Sequence, residues 1–195
     1  MTKSEVPIGV MEAIYKRSSV RSYTPQKLDQ KTIRSLLDAA VRAPTAIHEE
    51  PWQFVIAQDM SALKRISDRA KAFLLEEVSH SHLDRGGHTH DRFSSPEFNI
   101  FYNASTLIVI CGDPTAHFVV ADCWLAAENL MLAAYSMGLG SCVIGSAVTG
   151  LNTPEVKAEL GIPADISAIA PIIFGVPSGT TVPTPRKEAK ILAWK

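Results

Sequence analysis

Ala126-Ala127-Glu128-Asn129-Leu130-Met131-Leu132-Ala133-Ala134-Tyr135-Ser136-Met137-Gly138-Leu139-Gly140-Ser141-Cys142-Val143-Ile144 is the stretch whose reading decides the fold. No charge occurs from Asn129 to Pro154, a run long enough to span a membrane. Gly138, Gly140, Gly145 and Gly150, with several Ser and Thr, punctuate it, so it reads as helix, turn, strand and turn. The helix, roughly Ala116 to Met137, is apolar nearly all round, which places it in the middle of something. Cys142-Val143-Ile144 is a short buried strand.

Working outward, helical and strand patterns alternate. A first helix from about Pro7 to Lys16 puts Ile8, Met11, Ile14 and Tyr15 on one face. Asp29 caps the next, with Leu28 and Ile33 at the staple positions and Leu36, Leu37, Ala40 and Val41 continuing a buried stripe; Pro44 ends it. Phe54 to Ala57 is a short strand. A helix from about Ser61 to Val78 carries Leu63, Ile66, Ala70, Phe73 and Leu74 on one side. Leu107 to Cys111 is a fully buried strand closed by Gly112-Asp113-Pro114. Thr153 and Pro154 open a short helix that Gly161 closes, and Ile169 to Phe174 is the last core strand. Helices interleave with four or five strands and no repeat is visible, which predicts a single α+β domain over residues 1–195.

Composition excludes several classes. At 195 residues, 46% apolar and 20% charged, the chain can bury a real core and is not disordered. Lys+Arg 19 against Asp+Glu 20 leaves a net charge of −1, with no basic excess to attract nucleic acid. Cys111, Cys123 and Cys142 are widely spaced without a C-x-x-C, so they read as buried thiols in a reducing compartment rather than as a zinc or dithiol site. The N-terminus lacks the apolar core of a signal peptide, and a soluble, cytoplasmic protein without a membrane segment is expected.

Three stretches carry chemistry. Lys16-Arg17-Ser18-Ser19-Val20-Arg21 gathers two guanidinium forks and two hydroxyls where a helix ends, enough donors to surround one phosphate. The same pattern also suits a solvated helix end whose cations complement the dipole. Ala43-Pro44-Thr45-Ala46-Ile47-His48-Glu49-Glu50-Pro51-Trp52 is a polar loop between helix and strand. The small residues and glycines from Ala126 to Cys142 let backbone approach a ligand or partner. No G-x-G-x-x-G follows a strand and no P-loop occurs, so a dedicated dinucleotide-binding domain is not expected. His80, His82, His88 and His90 form two H-x-H pairs in the polar stretch 79–100, which reads as a solvated loop rather than a metal site.

Taken in order, these pieces resemble the nitroreductase family of flavoenzymes over about 170 residues. Arg17 to Arg21 is similar to the family's R-x-S-x-R/K opening. Ala43-Pro44-Thr45 with Pro51-Trp52 is similar to its A-P-S-x-x-N-x-Q-P-W loop, and Glu128 to Leu132 with Gly138 to Ser141 to its central helix and following strand. Leu160-Gly161-Ile162-Pro163, the strand end at Gly175 and Arg186 are similar to its close. The resemblance implies a mixed sheet flanked by helices in an intertwined homodimer that binds FMN at the subunit interface. It implies electron transfer from NADH or NADPH to a nitroaromatic or quinone by a ping-pong mechanism, the cofactor carrying the chemistry.

On the same basis, Arg17, Ser18, Ser19 and Arg21 would hold the FMN phosphate and ribityl chain, with Arg186 closing over the phosphate. Pro44, Thr45, Ala46 and His48 would come from the partner subunit, and backbone at Ile144, Gly145 and Ser146 would lie near the reactive edge. Where the family usually has Asn and Gln, this chain has His48 and Glu50, with Glu49 between them. A carboxylate there would repel a reduced, anionic flavin unless turned away. His48 either hydrogen-bonds the ribityl chain as Asn would, or gives a proton to the acceptor, since a free imidazole titrates near about 6.5. It is the weak catalytic candidate. A dehalogenase or flavin-modifying enzyme on the same scaffold, or a flavin-binding protein with little turnover, are the alternatives.

Overall fold

A computed structural model describes residues 8–80 and 93–195. Four strands form one sheet in the order β1-β2-β4-β3: β1 (Gln53–Ala57), β2 (Thr106–Gly112), β3 (Gly140–Val143) and β4 (Ser167–Gly175). All three strand pairs are antiparallel, and the parallel element of the sheet is a single bridge from Ser19 to Ser141 on the β3 edge. The α+β class is as expected, with helices on both faces.

β2 is buried along its whole length and alternates between two cores. Leu107, Val109 and Cys111 face α3 (Met60–His80) and the short helices, while Ile108 and Ile110 face α2 (Gln30–Ala40) and the central helix α4 (Val119–Ser136). Local signals set the helix ends where the sequence places them. Asp29 accepts the Thr32 N–H at 2.7 Å, and Leu28 and Ile33 are both buried behind it. Thr153 caps α6 (Pro154–Leu160), and Gly161 stops it in the left-handed conformation at φ 72°. The four-residue α5 (Val148–Leu151) precedes it, after β3.

Several expectations shift. The first helix, α1, runs only Val10–Lys16 and buries just Ala13, leaving Met11, Ile14 and Tyr15 in the open. On α4 the buried stripe includes Cys123, Ala126, Ala127, Leu130 and Ala134, while Val120, Trp124 and Leu125 on the other side are exposed. The all-round apolar pattern of α4 is thus only half used within one chain. The stretch 79–100 is not a loop throughout. Residues 81–92, with His82, His88 and His90, lie outside the described residues, as does Pro7. The helix reaches His80, and Ile100 and Phe101 are core residues at 2% and 0% exposure. All three cysteines are buried and free, and no described helix is long and apolar enough to cross a membrane.

Candidate functional site

After α1 the chain runs extended along the β3 edge, where the Val20 N–H donates to the Ser141 carbonyl at 3.0 Å. Gly140 makes this approach possible: a Cβ there would meet Val20 side-chain carbons at 2.8–2.9 Å. Extended backbone alternates its side chains, so Ser18 and Val20 turn inward and Ser19 and Arg21 outward. Ser18 is therefore turned away from Ser19 and Arg21, two of the three residues the sequence grouped with it.

Arg17 is the anomaly. Its Nε is buried and finds no hydrogen-bond partner among the described residues. Glu128 Oε1 on α4 stands 3.6 Å away, too far for a hydrogen bond. A buried guanidinium N–H without an acceptor is costly unless something else satisfies it. Arg21, Ser19 and Arg17 also act on the buried Cys142 thiol. Burial pushes that thiol up, while the charge of Arg21, the Ser19 hydroxyl and Arg17 pull against it.

Two cavities flank the segment. One of about 380 Å³ is lined by Arg17, Ser18, Tyr135, Gly138, Ser141 and Thr180. The other, about 190 Å³, holds Arg21, Phe98, Tyr102, Ile144, Gly145 and Ser146. Its aromatic wall is built edge to face, Phe93 on Phe98 at 5.4 Å and Phe98 on Tyr102 at 5.6 Å. The Arg21 guanidinium carbon lies 5.9 Å from the Tyr102 ring centre. Lys71 of α3, buried, ties this wall down: its ammonium donates to the carbonyls of Phe98 at 2.7 Å and Ser95 at 3.3 Å and pairs with Asp68 at 3.0 Å. Sequence reasoning missed Lys71 and the aromatic wall; the crowding of Phe93, Phe98, Phe101 and Tyr102 was the available signal.

The loop 44–50 lies elsewhere. Ala46–His48 form a single 3₁₀ turn, and Ile47, His48 and Glu50 all have positive φ, at 46°, 59° and 47°. Asp122 of α4, also unmarked in the sequence reading, accepts the Ala46 N–H. His48, Glu49 and Glu50 are exposed, and Arg186 sits on the exposed tail beyond β4. Neither cavity is lined by Pro44, Thr45, Ala46, His48 or Arg186. Within one chain, then, Arg17, Ser18, Ser19, Arg21, Ile144 and Gly145 gather along the β3 edge, and Pro44, Thr45, Ala46, His48 and Arg186 stay apart from both cavities.

The fold and this edge site define a class, and comparison with known proteins gives it a family. The chain belongs to the Nitroreductase family, whose model matches residues 14–176. A protein of Archaeoglobus fulgidus named for NADH dehydrogenase or NAD(P)H nitroreductase activity is 30% identical over 172 residues, covering 86% of this chain and 84% of that one. The crystal structure of a Bacteroides fragilis nitroreductase with bound FMN is 28% identical, with a TM-score of 0.79 over 94% of this chain and 97% of that one. An iodotyrosine deiodinase of Thermotoga neapolitana is 23% identical over 180 residues, covering 89% of this chain and 91% of it.

Proposed function

We propose that this chain is an FMN-dependent oxidoreductase that passes electrons from NADH or NADPH to an oxidised acceptor such as a nitroaromatic or quinone, by a ping-pong mechanism and as a homodimer. The carrying observation is the unsatisfied, buried Nε of Arg17, on the segment that turns Ser19 and Arg21 outward. A phosphate of charge about −1.5 to −2 fits these donors. Arg17, Ser19 and Arg21 would hold the phosphate and ribityl chain, with Ser18 behind Arg17 and Arg186 reaching over from the tail. Ile144 and Gly145 would face the ring, where Gly145 has open space in place of a Cβ. When bound, FMN would supply the hydride acceptance and return, and the aromatic wall of the smaller cavity would offer ring surface for a flat acceptor.

The dimer rests on uncovered apolar surface. Met11, Ile14 and Tyr15 of α1, Trp124 and Leu125 of α4, and Leu192 and Trp194 of the tail are all exposed in the single chain. Such a surface marks an interface. A second copy seated there would also supply Pro44, Thr45, Ala46 and His48, which neither cavity receives from its own chain.

Purified protein should be yellow and release about one FMN per chain on denaturation; the sequence motif that binds phosphate is present once in each chain. A colourless preparation that takes up no added FMN would refute the reading. Anaerobic stopped-flow reduction separates the alternatives. Rapid bleaching by NADH or NADPH followed by reoxidation with nitroaromatics or quinones marks the reductase, and slow bleaching marks a flavin-binding protein. The deiodinase relative supports the dehalogenase reading, so halogenated phenols belong among the acceptors.

His48 supplies a second expected result. Its exposed position suits a hydrogen bond to a neighbouring subunit's ribityl chain, as Asn would make. His48→Asn should therefore leave both half-reactions within a few-fold between about pH 5.5 and 8, with parallel pH profiles. A loss of roughly 10²-fold in reoxidation alone, with a pH dependence that disappears in the variant, would instead make it a proton donor.

A further inference from the structure

Asp122 is 98% buried in a helix whose neighbouring core residues are Val119, Cys123, Ala126 and Ala127, an environment hostile to a carboxylate. Among the described residues no cation stands within ion-pair distance of it. Its acceptors are spent on one backbone donor: the Ala46 N–H, at 3.2 Å from Oδ1 and 3.3 Å from Oδ2. A shared single donor is poor compensation for a buried acid, so packing alone gives no reason for an acid at this position.

The loop it holds does give one. Ile47 at φ 46° is a β-branched residue in the left-handed region, where its Cβ crowds the backbone, and it is 79% exposed, so no packing of its side chain repays the strain. His48 and Glu50 add two more such residues within four positions. Each persists only when its surroundings over-determine it. The anchors at hand are the Ala46–Asp122 contact at one end and Pro51-Trp52 entering β1 at the other. The strained turn presents Ile47 and His48 outward, away from the chain's own core.

We propose that Asp122 is a positioning residue: its buried carboxylate, by accepting the Ala46 N–H, fixes the strained 46–50 turn so that Ala46 and His48 are held ready for the cofactor of a second copy. This rests on the functional reading above for what the turn meets, but not for how it is held. The acid acts through the turn and touches no reacting atom. It joins the turn to α4, the same helix whose Trp124 and Leu125 face outward a few residues on, so the interface and the turn are set by one rigid element.

The test compares the full-length protein, FMN-loaded and FMN-free, with Asp122→Ala, Asp122→Leu and Asp122→Asn. Leucine fills a similar volume without an acceptor, so it keeps the test valid if the alanine void prevents folding. Asparagine keeps an acceptor oxygen. Amide hydrogen exchange should accelerate at least tenfold in the peptide spanning residues 44–52 of the Ala and Leu variants, and stay within twofold in β2. Asn should remain within threefold of the parent. Turnover per bound FMN with NADH and a simple benzoquinone should fall at least fivefold in Ala and Leu and be restored by Asn. Acceleration spread evenly over the chain, with turnover per bound FMN unchanged, would reduce Asp122 to a core residue and overturn the proposal. So would unchanged exchange at 44–52. If the parent takes up no FMN, the functional reading fails, while exchange in the FMN-free protein still decides whether Asp122 holds the turn.

Discussion

Leu125→Glu should break the proposed dimer and strip it of FMN. Leu125 is exposed on α4 beside Trp124, so a single chain accommodates glutamate there without disturbing its own core. In a two-fold dimer the same residue occurs twice, so two carboxylates enter the apolar contact together. Burying an unpaired charge at an interface costs about 2–5 kcal/mol, and two of them about twice that, which weakens association by 10³-fold or more. At micromolar concentration the variant should sediment as a monomer or as unfolded chain, because a helix with Val120 and Trp124 in water leaves the monomer little margin. In either state FMN should be lost along with the turn that a second copy would contribute under this proposal. A variant that sediments as a dimer and stays yellow would remove this face of α4 from the interface. A folded monomer that retains stoichiometric FMN would show that one chain holds the cofactor unaided.

Much of the fold was legible because local chemistry and tertiary structure agree along most of the chain. Asp29 before Ile33, and Thr153-Pro154 with Gly161 closing, are helix ends whose unsatisfied backbone groups have one obvious solution, and the chain adopts it. Leu107 to Cys111 has no polar position, so it had to be a strand covered on both faces. Legibility fails where a residue's role depends on contacts distant in sequence. Asp122 and Lys71 carry no mark in the sequence, yet both are buried. Their reason lies in Ala46, Ser95 and Phe98, between 24 and 76 residues away. Most of the aromatic wall, Phe93 and Phe98, was hidden inside the polar, histidine-rich stretch 79–100. The turn at 46–50 defies propensity outright, because no sequence rule places isoleucine at positive φ.

The site was legible in another sense. Alternation along an extended segment separates Ser18 from Ser19 and Arg21, a distinction that grouping by residue type could not draw. The exposed apolar positions of α1, α4 and the tail are what a chain looks like when part of its core is supplied by another copy. Read as a monomer, α4 is an inconsistency; read as half of an interface, it agrees with the uncharged run from Asn129 onward.

Arg17→Ala should weaken FMN binding by about 1.5–3 kcal/mol, the worth of a hydrogen bond to a charged group, or roughly ten- to a hundredfold. The geometry argues for the upper half of that range. Arg17 has a side chain only 19% exposed, so its charge is poorly screened, and its Nε has no acceptor to surrender when a phosphate arrives. Glu128, at 3.6 Å and 47% exposed, is a weak competitor that adds little to the free protein. For the same reason thermal stability should barely change: the variant removes an unsatisfied donor rather than a bonded one. Riboflavin makes the control, since it keeps the ring and ribityl chain and lacks only the phosphate. Fluorescence titration should give the variant and the parent nearly equal affinity for riboflavin and widely different affinity for FMN. Salt should narrow the FMN difference, because part of it is long-range attraction between guanidinium and dianion. If Arg17→Ala costs riboflavin as much as FMN, the guanidinium shapes the β3 edge and the phosphate lies elsewhere; Arg21 and Arg186 would then be the cations to test.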